Sequence, residues 1–250
     1  MTRTDLVPAR LSAELDVLAA RLDAAEGTAI RRLNYVVGSA ETMLERLPPW
    51  ARDELERGTE RALAYAVDAA QVSRGQLGDQ PAWVNTGLTT VLGAAGGAGG
   101  LATALAELPV TTTVLFRAIL GTAERHGFDP DAPEVRRDGL TVFTAAGPLE
   151  HDDGANTGFL AARMTLTGAT VNTMIARVAP RLSVVLGQKL AAQTVPVLGA
   201  AAGAATNYAY TRYYQEMAHV HFGLARLARE GGQDTNALTE ALRARLPARG

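Results

Sequence analysis

The sequence predicts an all-α protein, a single multi-helix bundle with a central pair of Gly/Ala-rich helices. Two patterns carry that expectation. Apolar residues recur at helical spacing along almost the whole chain, and no alternating β-branched run is long enough for a strand. Two small-residue segments also echo each other. Val91-Leu92-Gly93-Ala94-Ala95-Gly96-Gly97-Ala98 returns 106 residues later as Val197-Leu198-Gly199-Ala200-Ala201-Ala202-Gly203-Ala204.

The elements follow in order. Residues 9–25 and 28–47 read as amphipathic helices, the second with Ile30, Leu33, Val37, Ala40 and Leu44 on one face. Pro48 and Pro49 end it, a charged helix spans 50–72, and the Gly, Asp and Pro of 74–81 mark a loop. Pro109 suits the first turn of a helix reaching Arg125, with Val110, Val114, Leu115, Ala118 and Ile119 as its buried stripe. His126-Gly127-Phe128-Asp129-Pro130 ends that helix, and Asp131 with Glu134 forms a capping-box-like start for one over 132–146. A polar loop at 147–157 precedes helices over 158–177 and 180–194. Pro196 opens a long helix that Gly231-Gly232 stops, and 234–246 is a short charged helix. No long linker interrupts the pattern. Residues 1–49 are therefore expected as peripheral N-terminal helices, 50–232 as the main helical domain and 233–250 as a charged tail helix.

Composition narrows the function classes. The 250 residues are 47% hydrophobic and 20% charged, which suits a folded core and excludes wholesale disorder. A net charge of −2 and a pI near 6.1 give no electrostatic footprint for nucleic acid, so RNA and DNA are not expected partners. The absence of cysteine excludes disulfides, thiolate metal sites and a cysteine nucleophile. The first thirty residues carry charges every few positions and no apolar core segment, which predicts a cytoplasmic location.

Each echoed segment carries a Gly-x-x-x-Gly face, Gly93/Gly97 and Gly199/Gly203, where two helices can approach closely. Six glycines fall within 84–106, and each weakens an isolated helix by about 1 kcal/mol relative to Ala. Contact between the two faces is expected to offset that cost. A soluble core supplies such a contact, and so does a lipid surface. A true membrane span is disfavoured, because 84–106 holds only six Val or Leu residues beside Asn85 and four threonines.

The candidates for chemistry are sparse. Glu150-His151-Asp152-Asp153 is the densest titratable cluster and could hold a divalent cation or exchange protons. Acids ahead of a helix N-terminus explain the same residues. Arg163 stands alone in an uncharged stretch, 154–176, and needs an acidic partner if buried. Glu216 and His219 share a helix face in the spacing of di-iron bundles, but that chemistry uses the motif twice with two further glutamates. Arg212, Glu216 and His219 read equally as a salt-bridged surface stripe. His221 falls on the stripe Tyr210, Tyr214, Met217, Leu224 and is expected in the core. Weak catalytic candidates are thus His151, Asp152, Asp153, Arg163, Glu216 and His219. No metal site and no cofactor is expected, and no nucleophile-elbow, zincin or phosphate-loop motif occurs.

From Trp50 onward the order of features resembles the EcsC-like family of bacterial proteins. The stretches that carry the resemblance are the glycines of 93–100, Leu108-Pro109-Val110-Thr111-Thr112-Thr113, the Ile119…His126-Gly127-Phe128-Asp129 ending, Pro133-Glu134, and Val197-Leu198-Gly199 followed by Asn207. Residues 218–227 are similar to the family's closing Ala…His-Phe…Arg-Leu pattern. The family is named for a protein encoded beside an ABC transporter, and it offers no catalytic residues to carry over. The resemblance implies a helical cytoplasmic protein with a membrane-linked accessory role. The leading expectation is a non-enzymatic binding protein at the cytoplasmic membrane face, with membrane lipid or a membrane protein as partner. A hydrolase or metal-dependent enzyme built on 150–153 is the first alternative, and a carrier of lipid or another hydrophobic small molecule the second.

Overall fold

Helix α7 (Gly199–Gly231) organises the molecule, because its residues are buried on several sides along most of its length. The computed structural model describes residues 3–25, 47–77, 84–91, 105–145, 170–193 and 199–246, and within them every regular element is helical. In chain order these are α1 (Arg3–Ala25), α2 (Pro49–Leu77), α3 (84–91), α4 (Leu108–Arg125), α5 (Pro133–Val142), α6 (Val171–Gln193), α7 and α8 (Thr235–Arg243). The protein is an all-α bundle. Helices α1, α4, α5, α6 and α8 all pack on α7, and α2 packs across α4 and α6.

The core is apolar and aromatic. Phe116 of α4 stacks 6.1 Å from Phe143, which meets Tyr214 of α7 edge-on at 5.2 Å. Gly139 of α5 lies close under Phe116 and Leu120, so a Cβ there would press on α4, 3.1 Å from Phe116 Cε2. His221 is buried as expected, beside Phe222 and 4.0 Å from Asp138.

Local chemistry sets the ends. Pro109 opens α4, where its missing N–H costs nothing. At the other end Gly127 takes φ 75°, the Phe128 amide donates to the Ala123 carbonyl and the Gly127 amide to Glu124. This left-handed turn closes the helix and delivers His126 to α7. Arg229 of α7 locks the turn, donating to the Gly127 carbonyl at 3.0 Å and lying 4.3 Å over the Phe128 ring. Gly232, at φ 59°, stops α7, and Asp234 caps α8 through the Asn236 amide.

Several expectations are corrected. Helix α2 continues through 74–77, read above as loop. Pro180 does not start a helix but lies inside α6. Its missing N–H frees the carbonyl one turn earlier, on Ala176, and both residues face solvent. Helix α5 is capped by Ala132 and Pro133, without a side-chain cap from Asp131. Val110 is exposed, not part of the buried stripe. The expected helix over 28–47, the start of the one over 158–177 and the loop at 147–157 lie outside the described residues, apart from Leu47.

Helix α1 lies along the C-terminal half of α7. Leu15, Leu18 and Leu22 are buried there, and Gly223 admits Leu18 so closely that a Cβ on it would sit 2.7 Å from Leu18 Cδ2. Ion pairs flank the apolar seam: Arg21–Glu216 at 2.7 Å, Arg226–Glu14 at 2.8 Å, and Arg245–Asp16 at 2.9 Å beyond α8. Gly223→Val should therefore cost about 1–3 kcal/mol by overpacking. Leu18→Ala should cost about 2–5 kcal/mol. Because the two side chains share one space, urea denaturation of the double variant should show less than the sum. Strict additivity would mean that α1 does not rest on Gly223.

Candidate functional site

Two arrangements on α7 bear on function, one near each end. Toward the C-terminal end, the cap that closes α4 brings His126 against His219. Their rings meet edge-on with centroids 5.3 Å apart, and His126 Nε2 lies 3.1 Å from His219 Nδ1. One nitrogen must donate and the other accept, so at least the accepting ring must be neutral. The surroundings favour neutrality in both rings. Burial pushes His126 down from 6.5 to about 4, aided by Arg226, Arg21 and Arg125 and opposed by Glu14. Burial likewise pushes His219 down to about 3, with Arg21, His126, Arg125 and Arg212 acting in the same direction. The pair is an uncharged cross-brace between α4 and α7.

Glu216, one turn before His219, is engaged from two sides, by Arg21 at 2.7 Å and Arg212 at 3.5 Å. The expected salt-bridged stripe is present, with α1 supplying the stronger partner. Among the described residues no three His, Asp or Glu side chains are grouped to hold a metal ion. His151, Asp152, Asp153 and Arg163 lie outside the described residues, as do Gly93 and Gly97. Gly199 and Gly203 fall in the first turns of α7. The partnership of His126 with His219 had no signal in the sequence, since 93 residues separate the rings.

The second arrangement is an inverted helix. In α3 the residues Asn85, Thr86 and Thr89 face the bundle and are buried, while Gly87, Leu88 and Val91 face out. Leu88 is 47% exposed and Val91 67%. Polar inside and apolar outside is the reverse of a water-facing helix.

The buried polar face is matched by α7. Thr89 and Thr211 share a hydrogen bond, Oγ1 to Oγ1 at 2.7 Å, and the Asn207 amide donates to the Thr89 carbonyl at 2.6 Å. Thr211 Oγ1 also reaches the Asn207 carbonyl at 2.8 Å, which closes a small network. Thr206, Asn207 and Thr211 are all buried, yet Tyr208 beside them is 47% exposed. The inversion thus extends from α3 onto α7. By contrast, the exposed Trp50, Tyr65 and Val72 of α2 stand among exposed Asp53, Glu56, Arg57, Glu60, Arg61 and Asp68. Residues 81–106, which contain α3, carry no charge at all. The amphipathic pattern of α3 was available in the sequence, but which face turns inward was not.

A model of the EcsC protein family matches residues 72–227, from the last turns of α2 through most of α7. No curated protein and no solved structure matches the chain.

The histidine brace gives a pH signature. Unfolded, both rings titrate near 6.5; folded, they titrate at about 4 and about 3. The unfolded chain therefore binds more protons below 6.5. Stability should be fully present above that pH and be lost as pH falls toward the folded values. The urea midpoint should drop between pH 7 and pH 5, above the carboxylate range. His126→Phe with His219→Phe should flatten that drop. An unchanged slope in the double variant would reject the neutral pair.

Proposed function

This chain belongs to the EcsC protein family, and we propose that it is a non-enzymatic binding protein. In this reading it works at the cytoplasmic face of the membrane and presents the outer face of α3 to lipid. The observation that carries the proposal is the inversion of α3. An apolar face of Gly87, Leu88 and Val91, in a 26-residue run without charge, offers a polar protein partner nothing to pair with. Lipid asks only for apolar area. Among the described residues no helix is long and apolar enough to cross a membrane, and the contact proposed is of one helix face on the surface.

The enzyme alternative gains no support from Glu216 and His219, whose carboxylate oxygens and Nδ1 are taken by Arg21, Arg212 and His126.

Covering a Leu or Val side chain is worth about 1.5–3 kcal/mol, which is about tenfold or more in partitioning. Co-sedimentation with phosphatidylcholine vesicles, with and without phosphatidylglycerol, should pellet the protein. Leu88→Asp and Val91→Asp should each lower the pelleted fraction at least about tenfold, and Tyr65→Asp on α2 should not. A protein that ignores vesicles but pellets with protein-containing membranes would replace lipid by a membrane-protein partner. One that pellets with neither would end the reading.

A further inference from the structure

The apolar core draws residues from every described helix except α3. The polar network of Thr89, Asn207 and Thr211 ties α3 to α7. Two behaviours at a membrane are conceivable: α3 peels away and inserts alone, or α3 and α7 meet the lipid together. The energetics of the network decide between them. In water a lost protein hydrogen bond is replaced by one to solvent, and the net cost is only about 0.5–1.5 kcal/mol. Where water is excluded no replacement exists, and each orphaned polar group costs several kcal/mol. Peeling would take Thr89 from Thr211 and the Asn207 carboxamide from the Thr89 carbonyl, two bonds that such a medium does not replace, and would leave the Thr89 hydroxyl only the Asn85 and Thr86 carbonyls of its own helix. Lipid contact therefore tightens the network.

We infer that α3 and the N-terminal half of α7 engage lipid as one closed unit, clasped by Thr89, Asn207 and Thr211, with Tyr208 of α7 as part of the contact surface. This rests on the membrane reading above. Tyr208 adjoins the clasp residue Asn207 and points outward. Its ring is apolar with a polar tip, the form that suits a lipid–water boundary. One turn further along the same exposed stripe stands Arg212, half-exposed and 3.5 Å from Glu216. It sets the polar border of the surface, and beyond it α1 covers α7. Polar groups turned toward each other and apolar groups outward is the arrangement that a water-free environment favours in a pair of helices.

The absence of cysteine makes the test clean. Thr89→Cys with Thr211→Cys introduces the only two thiols in the chain, at side chains already in contact. Mild oxidation should consume both thiols in the folded protein. The oxidised and reduced forms should then pellet with phosphatidylcholine–phosphatidylglycerol vesicles to within about twofold of each other, the shift expected if closure costs nothing. In the otherwise native chain, Tyr208→Asp should lower pelleting as Leu88→Asp does. Thiols that never bridge would contradict the clasp. Loss of binding on oxidation alone would show that α3 must open, and Tyr208→Asp pelleting like the native protein would exclude α7 from the surface. Those three results overturn only this inference. A native protein that pellets with no vesicle removes the membrane reading itself, and this inference with it.

Discussion

The bundle depends on one constraint: α7 carries polar side chains through the interior, and four of the helices packed on it are tied to those groups by directional bonds. Along its length α3 answers Asn207 and Thr211, α6 answers Tyr210 through the Val185 carbonyl, and α4 answers His219 with His126. Helix α1 answers Glu216 and Arg226 with Arg21 and Glu14. Burial alone would let these helices slide or rotate on an apolar cylinder. Directional bonds fix each at one register, since a buried donor or acceptor left unmatched costs about 1–3 kcal/mol. Stability comes from the Leu, Phe and Tyr core, and position comes from the polar matches.

The two ends of α7 solve the matching problem with different chemistry. Toward the C-terminus the charged groups stand at the water boundary, where solvent screening makes each ion pair worth little. There α1 seals the surface with Leu15, Leu18 and Leu22, and burial and nearby arginines disfavour a proton on the histidine pair. Toward the N-terminus no charge is used. Hydroxyl and carboxamide groups bond one another inside, and Leu88, Val91 and Tyr208 face out. Under the proposed reading, that division suits one end to water and the other to an apolar surface.

Much of this fold was legible in the sequence. The helical periodicity, the proline that opens α4, the Gly127 turn that closes it and the glycine stop after α7 all act within a few residues. Local chemistry decides them. Pro180 misled because its cost is reduced where the freed carbonyl faces water, a property of the packed structure. The Asp131 cap misled because Pro133 already fixed the start of α5. At the site level the sequence showed Glu216 and His219 on one face. It could not show that Arg21 and His126, far away in the chain, would occupy them. Nor could the α3 pattern reveal its own orientation, because an amphipathic helix reads the same with either face inward. The expected Gly93/Gly97 contact with Gly199/Gly203 and the acidic cluster at 150–153 fall outside the described residues, apart from Gly199 and Gly203.

The orientation of α3 at a lipid surface is the claim on which the functional account stands, and single cysteines in this cysteine-free chain can read it directly. An environment-sensitive fluorophore would be attached at Leu88→Cys or Val91→Cys, and for comparison at Tyr65→Cys or Val72→Cys, the exposed apolar positions of α2. A quencher confined to the acyl chains of added vesicles then reports contact. The account predicts quenching and a blue shift at 88 and 91, with 65 and 72 unchanged. Equal responses at all four positions, or none at 88 and 91, would contradict it.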